Sequence, residues 1–547
     1  MKRQSTVYLS IKKSLLMPSD CIPFRDTNYF SSLICDYLDQ KAELTPFYHR
    51  FPELENFKNQ LEEKKDAFSD AHRKVLVKAL RAQYKGVDLS DLTAANIEQL
   101  EDSTTFTVVT GHQLNLFTGP LYFLYKIIST INLTKQLKNK YPDYNFVPVY
   151  WMATEDHDFD EINYFNLFGK KIQWNRKDGG AVGVFDTEGL DKVFDVFSSE
   201  IGVGKNAEYL KTLFKKAYLE HTGLTEATRY LANELFGAYG LVIVDGDDRE
   251  LKRLFIPFVE KELITQEAYK TVSKKAQKLD EAGYKVQVNP REINLFYLSQ
   301  NSRERIIEKE GKYFVNETDI EFSKDEILKT LEETPEKFSP NVMMRPLYQE
   351  VILPNLCYIG GGGELAYWLE LKDYFEAVQV PFPMLLLRNS VLVQTQKQAE
   401  KIKNLTVSDT ELFLKQHELI NRKVRQISNI DINFDPQRKH LQEQFQSMYE
   451  VAEKTDVTFY NAVKAQEVKQ LKGLDTLEKR LLKAQRQKLS DQVKRLTVLQ
   501  NELFPNQSLQ ERTQNFTELY LEYGDQLIPM LIKQLDPLQG GFVILKQ

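Results

Sequence analysis

The sequence predicts an α/β protein: a doubly wound, largely parallel sheet, followed by an α-helical antiparallel coiled coil. Three observations lead there. Between about 104 and 390, short runs apolar on both faces alternate with helical patterns, as strands covered by helices on both sides require. From about 391 to 503 Gly and Pro almost vanish, and apolar residues fall into heptads. The 547 residues also exceed what one core organises, so two or three domains are expected.

Composition narrows the class. With 42% hydrophobic and 12% aromatic residues the chain is not a disordered protein. A net charge of −6 makes no global case for nucleic acid or an anionic membrane. The three cysteines, Cys21, Cys35 and Cys357, form no CxxC and no even framework, which points to a reducing cytoplasm. The basic N-terminus lacks the apolar stretch of a signal peptide. Runs such as "MLLL" (384–387) fall far short of a membrane helix.

Residues 1–103 read as a mainly helical region leading into the core, with Gly86 as a helix stop. In the core, 104–390, the buried strands are "FTVVT" (106–110), "FVPVYWMA" (146–153), "GLVIVD" (240–245) and "FPMLLL" (382–387), with a strand-like "LCYI" ahead of four glycines. Helical patterns lie near 121–138, 206–237 and 364–378, and uneven strand spacing marks 160–200 and 265–335 as insertions. In 391–505, Leu441, Phe445, Met448, Ala452, Thr455, Phe459 and Ala462 form a heptad seam, and Leu482, Leu489, Leu496 and Leu503 recur every seven residues. Gly473 reads as the end of one helix, and Asp475 with Glu478 as the cap of the next. The expectation is two arms of about 30–35 residues, with the helix near 397–427 packed on them. The apolar seam suits a homodimer. Residues 506–547 read as a helix, a turn at Gly540-Gly541 and a strand "FVIL" returning to the sheet or its edge.

Ligands of an open parallel sheet bind beyond the carboxyl ends of its strands, so the residues after each strand are the candidates. The first strand is followed by Gly111, His112, Gln113, Asn115, Thr118 and Gly119. Glycines admit a close backbone approach, and a histidine can serve as donor, acid or base; a plain helix-start cap is the competing reading. The second is followed by Glu155, Asp156, His157 and Asp158, with Asp160 and Glu161. These could hold an ammonium, hold a metal or supply a base, or form a solvated acidic loop. No metal is assigned, because no further ligand cluster is evident. The Asp245-Gly246-Asp247-Asp248 stretch is explained by a turn. Arg388, Asn389 and Ser390 could clamp a nucleotide phosphate or a carboxylate, or pair with a structural carboxylate.

Gly360 to Gly363 precede a helix starting near Glu364. Such a turn can cradle an anion, but it matches neither the P-loop nor the dinucleotide fingerprint. Cys357, on an apolar strand, reads as packing rather than nucleophile. Arg291 and Arg345 are cations among apolar runs; either could take a carboxylate in a two-pronged grip or form a structural ion pair. Residues 464–495 hold ten Lys/Arg against four Asp/Glu, read as solvated coiled-coil flanks ahead of RNA binding.

The stretches "TGHQLNLFTGPLYFLYKI", "VPVYWMATEDHDFDEIN", "RPLYQEVILPNLCYIGGGGELAYWLELK" and "PFPMLLLRNS", in this order and ahead of a coiled coil, together resemble the bacillithiol biosynthesis family BshC, the cysteine-adding enzymes. The resemblance covers most of 104–390, and the helical tail fits it. It implies a Rossmann-like core with inserted connecting segments, similar to class I aminoacyl-tRNA synthetases and the mycothiol cysteine ligase. It also implies a coiled-coil domain, a homodimer and addition of cysteine to glucosaminyl-malate through an amide bond.

Where the family suggests Gly-Pro-Gly-Glu, this chain has Gly361-Gly362-Gly363-Glu364. Amide formation from a carboxylate is most simply activated by ATP. The related ligases carry two histidines at the first strand-turn, where this chain has His112 alone. A Lys-Met-Ser-Lys-Ser counterpart and a Cys/His zinc set are both missing from the sequence. The resulting expectation is that His112, Gln113 and Asn115 line the reaction centre with Gly111 and Gly119 beside them. Glu155, Asp156 or Asp158, next to His157, would hold an ammonium. Arg291 or Arg345 would hold the malyl carboxylate near Gly361, Gly363 and Glu364. Two other classes stay open: a synthetase-like protein binding nucleotide or tRNA, and a non-catalytic coiled-coil scaffold dimer.

Overall fold

In the computed structural model, which describes residues 21–176, 179–299 and 302–546, the apolar runs become five strands of one parallel sheet. They are β1 (Thr105–His112), β2 (Asn145–Met152), β3 (Val242–Asp245), β4 (Asn355–Gly360) and β5 (Met384–Leu387). Their spatial order is β3-β2-β1-β4-β5. Register runs from Thr105↔Asn145 to His112↔Met152 between β1 and β2, and from Cys357↔Met384 to Gly360↔Leu387 between β4 and β5. His112, Met152, Asp245, Gly360 and Leu387 therefore end on one edge. The strand order reverses between β1 and β4, which is where a doubly wound sheet opens a crevice.

Helix α1 (Tyr122–Lys140) returns β1 to β2, α2 (Arg345–Ile352) feeds β4, and α3 (Gly362–Trp368) leaves it. Phe106, Val108, Leu133, Leu137, Phe146, Leu356, Cys357, Ile359 and Met384 form a buried cluster along the sheet. Burial pushes the Cys357 thiol well above its ordinary range, so packing is its role. The N-terminal helices dock through Arg73, whose guanidinium donates to the carbonyls of Leu100 and Thr105. One of them, Asp70–Gln83, ends just before Gly86, which adopts φ +85°.

Two insertions interrupt the sheet. The first holds a hairpin, Tyr164–Leu167 with Lys170–Gln173, and the helix Leu190–Ile201. The second holds the helix Glu267–Glu281 and a separate antiparallel sheet, whose strands include Leu295–Ser299, Ser302–Lys309 and Phe338–Pro340.

The chain divides into two compact units, mainly Tyr29–Leu392 with Gln510–Ile544, and Val393–Leu509. The second is helical: α4 (Gln416–Ile427), α5 (Asp435–Ala452), α6 (Val457–Lys488) and α7 (Ser490–Leu503), preceded by a helix at Gln396–Asn404. Helices α5 and α6 form the antiparallel pair, with Phe445, Ala452 and Val463 buried between them.

Three expectations are corrected. The hairpin turns at 453–456, where the Asp456 carboxylate accepts from the Phe459 N–H at 2.8 Å. Gly473 lies inside α6, while Asp475 and Glu478 bind Arg438 of α5 instead of capping a helix. Helix-favouring neighbours carry a lone glycine at a cost of only about 1 kcal/mol. As a result the arms span 18 and 32 residues, and the seam positions Met448 and Phe459 are exposed. The expected helix near 397–427 is broken between Asn404 and Gln416. Finally, the C-terminal strand Phe542–Lys546 does not join the parallel sheet. It pairs antiparallel with Cys21–Ile22, and the Val543 N–H donates to the Ser390 carbonyl. Among the described residues, no helix is long and apolar enough to cross a membrane. The N-terminal stretch read above as lacking a signal core lies, through residue 20, outside the described residues.

Candidate active site

A cavity of about 850 Å³ opens at the carboxyl edge of the sheet, beyond β1 and β4. Gly111, His112, Gln113, Glu155, Asp156, His157, Arg291, Arg345, Gly361, Gly363, Glu364 and Arg388 all line it, so residues 277 positions apart in the chain share one wall. Asn115, Gly119, Asp158, Asn389 and Ser390 do not line it.

The far side of the β1 turn explains two of these exceptions. Asn115 donates to the Glu161 carbonyl at 3.1 Å. Gly119, at φ +62°, lies so close that an added Cβ would sit 2.7 Å from the Asn115 Cβ. These residues shape the turn. Asn389 is tied to Ser129 and to the Asp536 carbonyl. Ser390 accepts from Arg388, whose guanidinium also meets the buried Glu511 at 2.8 Å. The structural carboxylate expected as one reading of this triplet is thus Glu511, while Arg388 itself also lines the cavity.

At the switch point, His112 ends β1 in a bed formed by Tyr122 and Phe123. Burial lowers its pKa to about 3; the nearby Lys126 and Arg388 add to this, and Glu364 and a hydrogen bond to the Thr118 backbone oppose it. The imidazole is therefore neutral, and its buried Nε2 has no hydrogen-bond partner among the described residues.

Lys126 of α1 donates to the Gly111 carbonyl at 2.6 Å and meets the Glu364 carboxylate at 2.6 Å. Glu364 also accepts from the Tyr358 hydroxyl at 2.6 Å and the Gly361 N–H at 2.8 Å. Burial pushes this carboxyl up, but Lys126 and the two donors outweigh it and hold it below its ordinary value. Burial lowers the Lys126 ammonium, with Glu364 opposing.

Arg345, the first residue of α2, reaches Gln349 at 3.1 Å and the Tyr367 hydroxyl at 3.4 Å. Its guanidinium lies 5.8 Å from the Trp151 ring and 5.7 Å from that of Tyr358. Among the described residues it has no carboxylate within ion-pair distance. A half-buried guanidinium with no carboxylate to neutralise it keeps donors free toward the cavity, so an anionic ligand is the natural complement.

On the opposite wall the acidic residues divide. Glu155 meets Lys252 at 2.6 Å, and that lysine also meets Asp247 at 2.9 Å. Asp156 is held by the Gln113 amide at 2.7 Å, which also reaches Glu161 at 2.8 Å. His157 accepts from Arg303 at 2.9 Å. Arg303 is 9% exposed and lies 4.0 Å from the Phe296 ring centroid.

Sequence reasoning missed Lys126, Tyr358, Tyr367, Arg303, Arg305 and Arg512, all of which line the cavity. Lys126 carried a signal: it is the one charge in the apolar start of a helix. Arg303 and Arg305 sit in an alternating, polar-looking strand of the second insertion and carried none. Six arginines and one lysine thus face a space that holds four carboxylates, and the excess of positive charge suits a polyanionic substrate.

Comparison with known proteins places this chain beside a defined set. Residues 17–389 match the family model described as "Bacillithiol biosynthesis BshC, N-terminal Rossmann-like domain". Residues 391–547 match the corresponding C-terminal coiled-coil domain. A protein of Christiangramia forsetii named "Putative cysteine ligase BshC" is 64% identical over 97% of this chain and 99% of its own length. Proteins of the same name from Flavobacterium johnsoniae and Bacillus mycoides are 60% and 28% identical, over 97% and 94% of this chain and 100% and 98% of their own lengths.

Proposed function

The chain belongs to the bacillithiol biosynthesis BshC family, and from that premise we propose that it is the ligase that joins L-cysteine to glucosaminyl-malate by an amide bond. The observation that carries the reading is Arg345, a half-buried guanidinium on the cavity wall at the sheet's switch point that lacks a carboxylate within ion-pair distance among the described residues. A malyl carboxylate can accept from its fork.

The division of labour follows from the walls. Asp156, fixed by Gln113, faces the cysteine ammonium, because the Glu155 carboxylate is already taken by Lys252 and Asp158 lies outside the cavity. The glucosaminyl nitrogen would attack the cysteine carboxyl carbon: the C–N bond would form as the bond from that carbon to the activated oxygen broke, with the amine proton passing to solvent. ATP supplies that activation when bound, and Arg291, Arg303, Arg305 and Arg512 fit its phosphates in charge. The neutral His112 accepts a hydrogen bond at Nε2 from the attacking amine, orienting its lone pair. The reaction takes place in the cytoplasm, and the coiled coil joins two chains into a homodimer.

Purified protein incubated with cysteine, glucosaminyl-malate and ATP tests this. Bacillithiol by mass spectrometry is the expected product. Its absence with every nucleoside triphosphate tried, from folded protein, contradicts the reading.

A further inference from the structure

Residues 284–294 connect the helix Glu267–Glu281 to the strand Leu295–Ser299 without regular secondary structure. This stretch supplies Gln287, Asn289 and Arg291 to the cavity wall. Between Lys285 and Ile293 its N–H groups make no backbone–backbone hydrogen bond with the rest of the described chain. Two buried carboxylates hold it instead. Upstream, Glu370, fully buried just after α3, accepts from the Gln287 N–H at 2.8 Å. Downstream, Glu262 of the helix Ile256–Thr265 accepts from the Asn294 N–H at 3.1 Å and its side-chain amide at 2.9 Å. Asn294 in turn accepts from the Arg291 N–H at 3.1 Å.

A carboxylate buried without an ionic partner is expensive, and an apolar residue would pack in its place at less cost. Glu370 has no cation within ion-pair distance among the described residues. Its one hydrogen-bonded task there is the loop that carries Arg291. We propose that Glu370 is a positioning residue: by fixing the Gln287 backbone it sets where Arg291 stands for a substrate carboxylate or phosphate. This inference rests on the cysteine-ligase reading of the cavity, but its first test does not.

Hydrogen exchange of the 285–292 segment, without substrate, is compared in the wild type, Glu370→Ala and Glu370→Gln. Glu370→Ala should lose protection at Gln287 several-fold. Glu370→Gln, which retains an acceptor oxygen, should keep it. In the ligation assay Glu370→Ala should raise KM for the substrate Arg291 contacts by about tenfold, the worth of one charge-assisted contact, with kcat within twofold. Arg291→Ala should raise it equally, and the double variant no further. Unchanged exchange in Glu370→Ala overturns the proposal, as does additivity with Arg291→Ala. If Glu370→Ala does not fold, a tenfold KM increase in Glu370→Gln overturns it. Lost protection in Glu370→Ala together with no ligation by the wild type leaves Glu370 as the loop's anchor and removes the cysteine-ligase reading.

Discussion

The Lys126 ammonium and the Glu364 carboxylate meet at 2.6 Å between the ends of β1 and β4. Lys126 comes from the helix after β1 and Glu364 from the first turn of α3, after β4. Lys126 also holds the Gly111 carbonyl, so a single cation joins both lips of the crevice. Lys126→Met leaves the half-buried Glu364 carboxylate beside Tyr358 without its cation. Breaking a charge-assisted contact of this kind costs about 1.5–3 kcal/mol, and the midpoint of urea unfolding should fall accordingly. Lys126→Met with Glu364→Gln should recover part of the loss, because no charge is then left unpaired.

Arg345 should behave in the opposite way. It is half-buried with no carboxylate within ion-pair distance among the described residues, so replacing it strands no charge in the free protein. Arg345→Met is expected to leave the melting temperature nearly unchanged while raising KM for glucosaminyl-malate by one to two orders of magnitude, as the loss of a charged hydrogen-bonded contact does. Calorimetry and steady-state kinetics on the same preparation check both halves.

His112 gives a pH signature. Its folded pKa, lowered by burial to about 3, lies below the ordinary 6.5. The unfolded chain therefore binds the extra proton between those values. The stabilisation from this group is complete above about pH 6.5 and is lost as pH falls toward 3. Between pH 7 and pH 5 the wild type should lose about 2 kcal/mol more stability than His112→Gln. Urea unfolding at the two pH values measures the difference. Because the ring stays neutral, the rate profile should also show no inflection near 6.5 that His112→Gln removes.

Gly473 tests the corrected hairpin. It lies within α6, its φ is not positive, and an added Cβ would meet nothing within 4 Å. Gly473→Ala should stabilise the chain by about 0.5–1 kcal/mol. A left-handed turn at this position would instead make the substitution destabilising, and thermal melts separate the two.

The parallel sheet was legible because burial on both faces leaves an unbroken apolar run, and β1, β2 and β5 are such runs. Gly111, His112 and Gln113 were legible as cavity residues once β1 was placed, since the carboxyl edge of such a sheet is where its ligands bind. The partners were not. Arg388 reads identically whether it faces a phosphate or Glu511, 123 residues further on. Asn115 and Gly119 read as site residues because they neighbour His112 in sequence, yet the turn carries them to its far side. Arg303 reads as an outward strand position and is turned inward by the pairing of its strand with Leu295–Ser299. The sequence suggests a hairpin at Gly473 because local turn chemistry is visible in it, whereas the bond between Arg438 and Glu478 that ties α5 to α6 is not.

We propose that the cavity at the β1–β4 switch point adds cysteine to glucosaminyl-malate. Thiol profiling by mass spectrometry tests it most directly, in a host lacking the gene and complemented with wild type or Arg345→Met. The expected result is loss of bacillithiol and accumulation of glucosaminyl-malate without the gene, restored by the wild type and not by folded Arg345→Met. Unchanged thiols without the gene, or full restoration by Arg345→Met, would contradict the account.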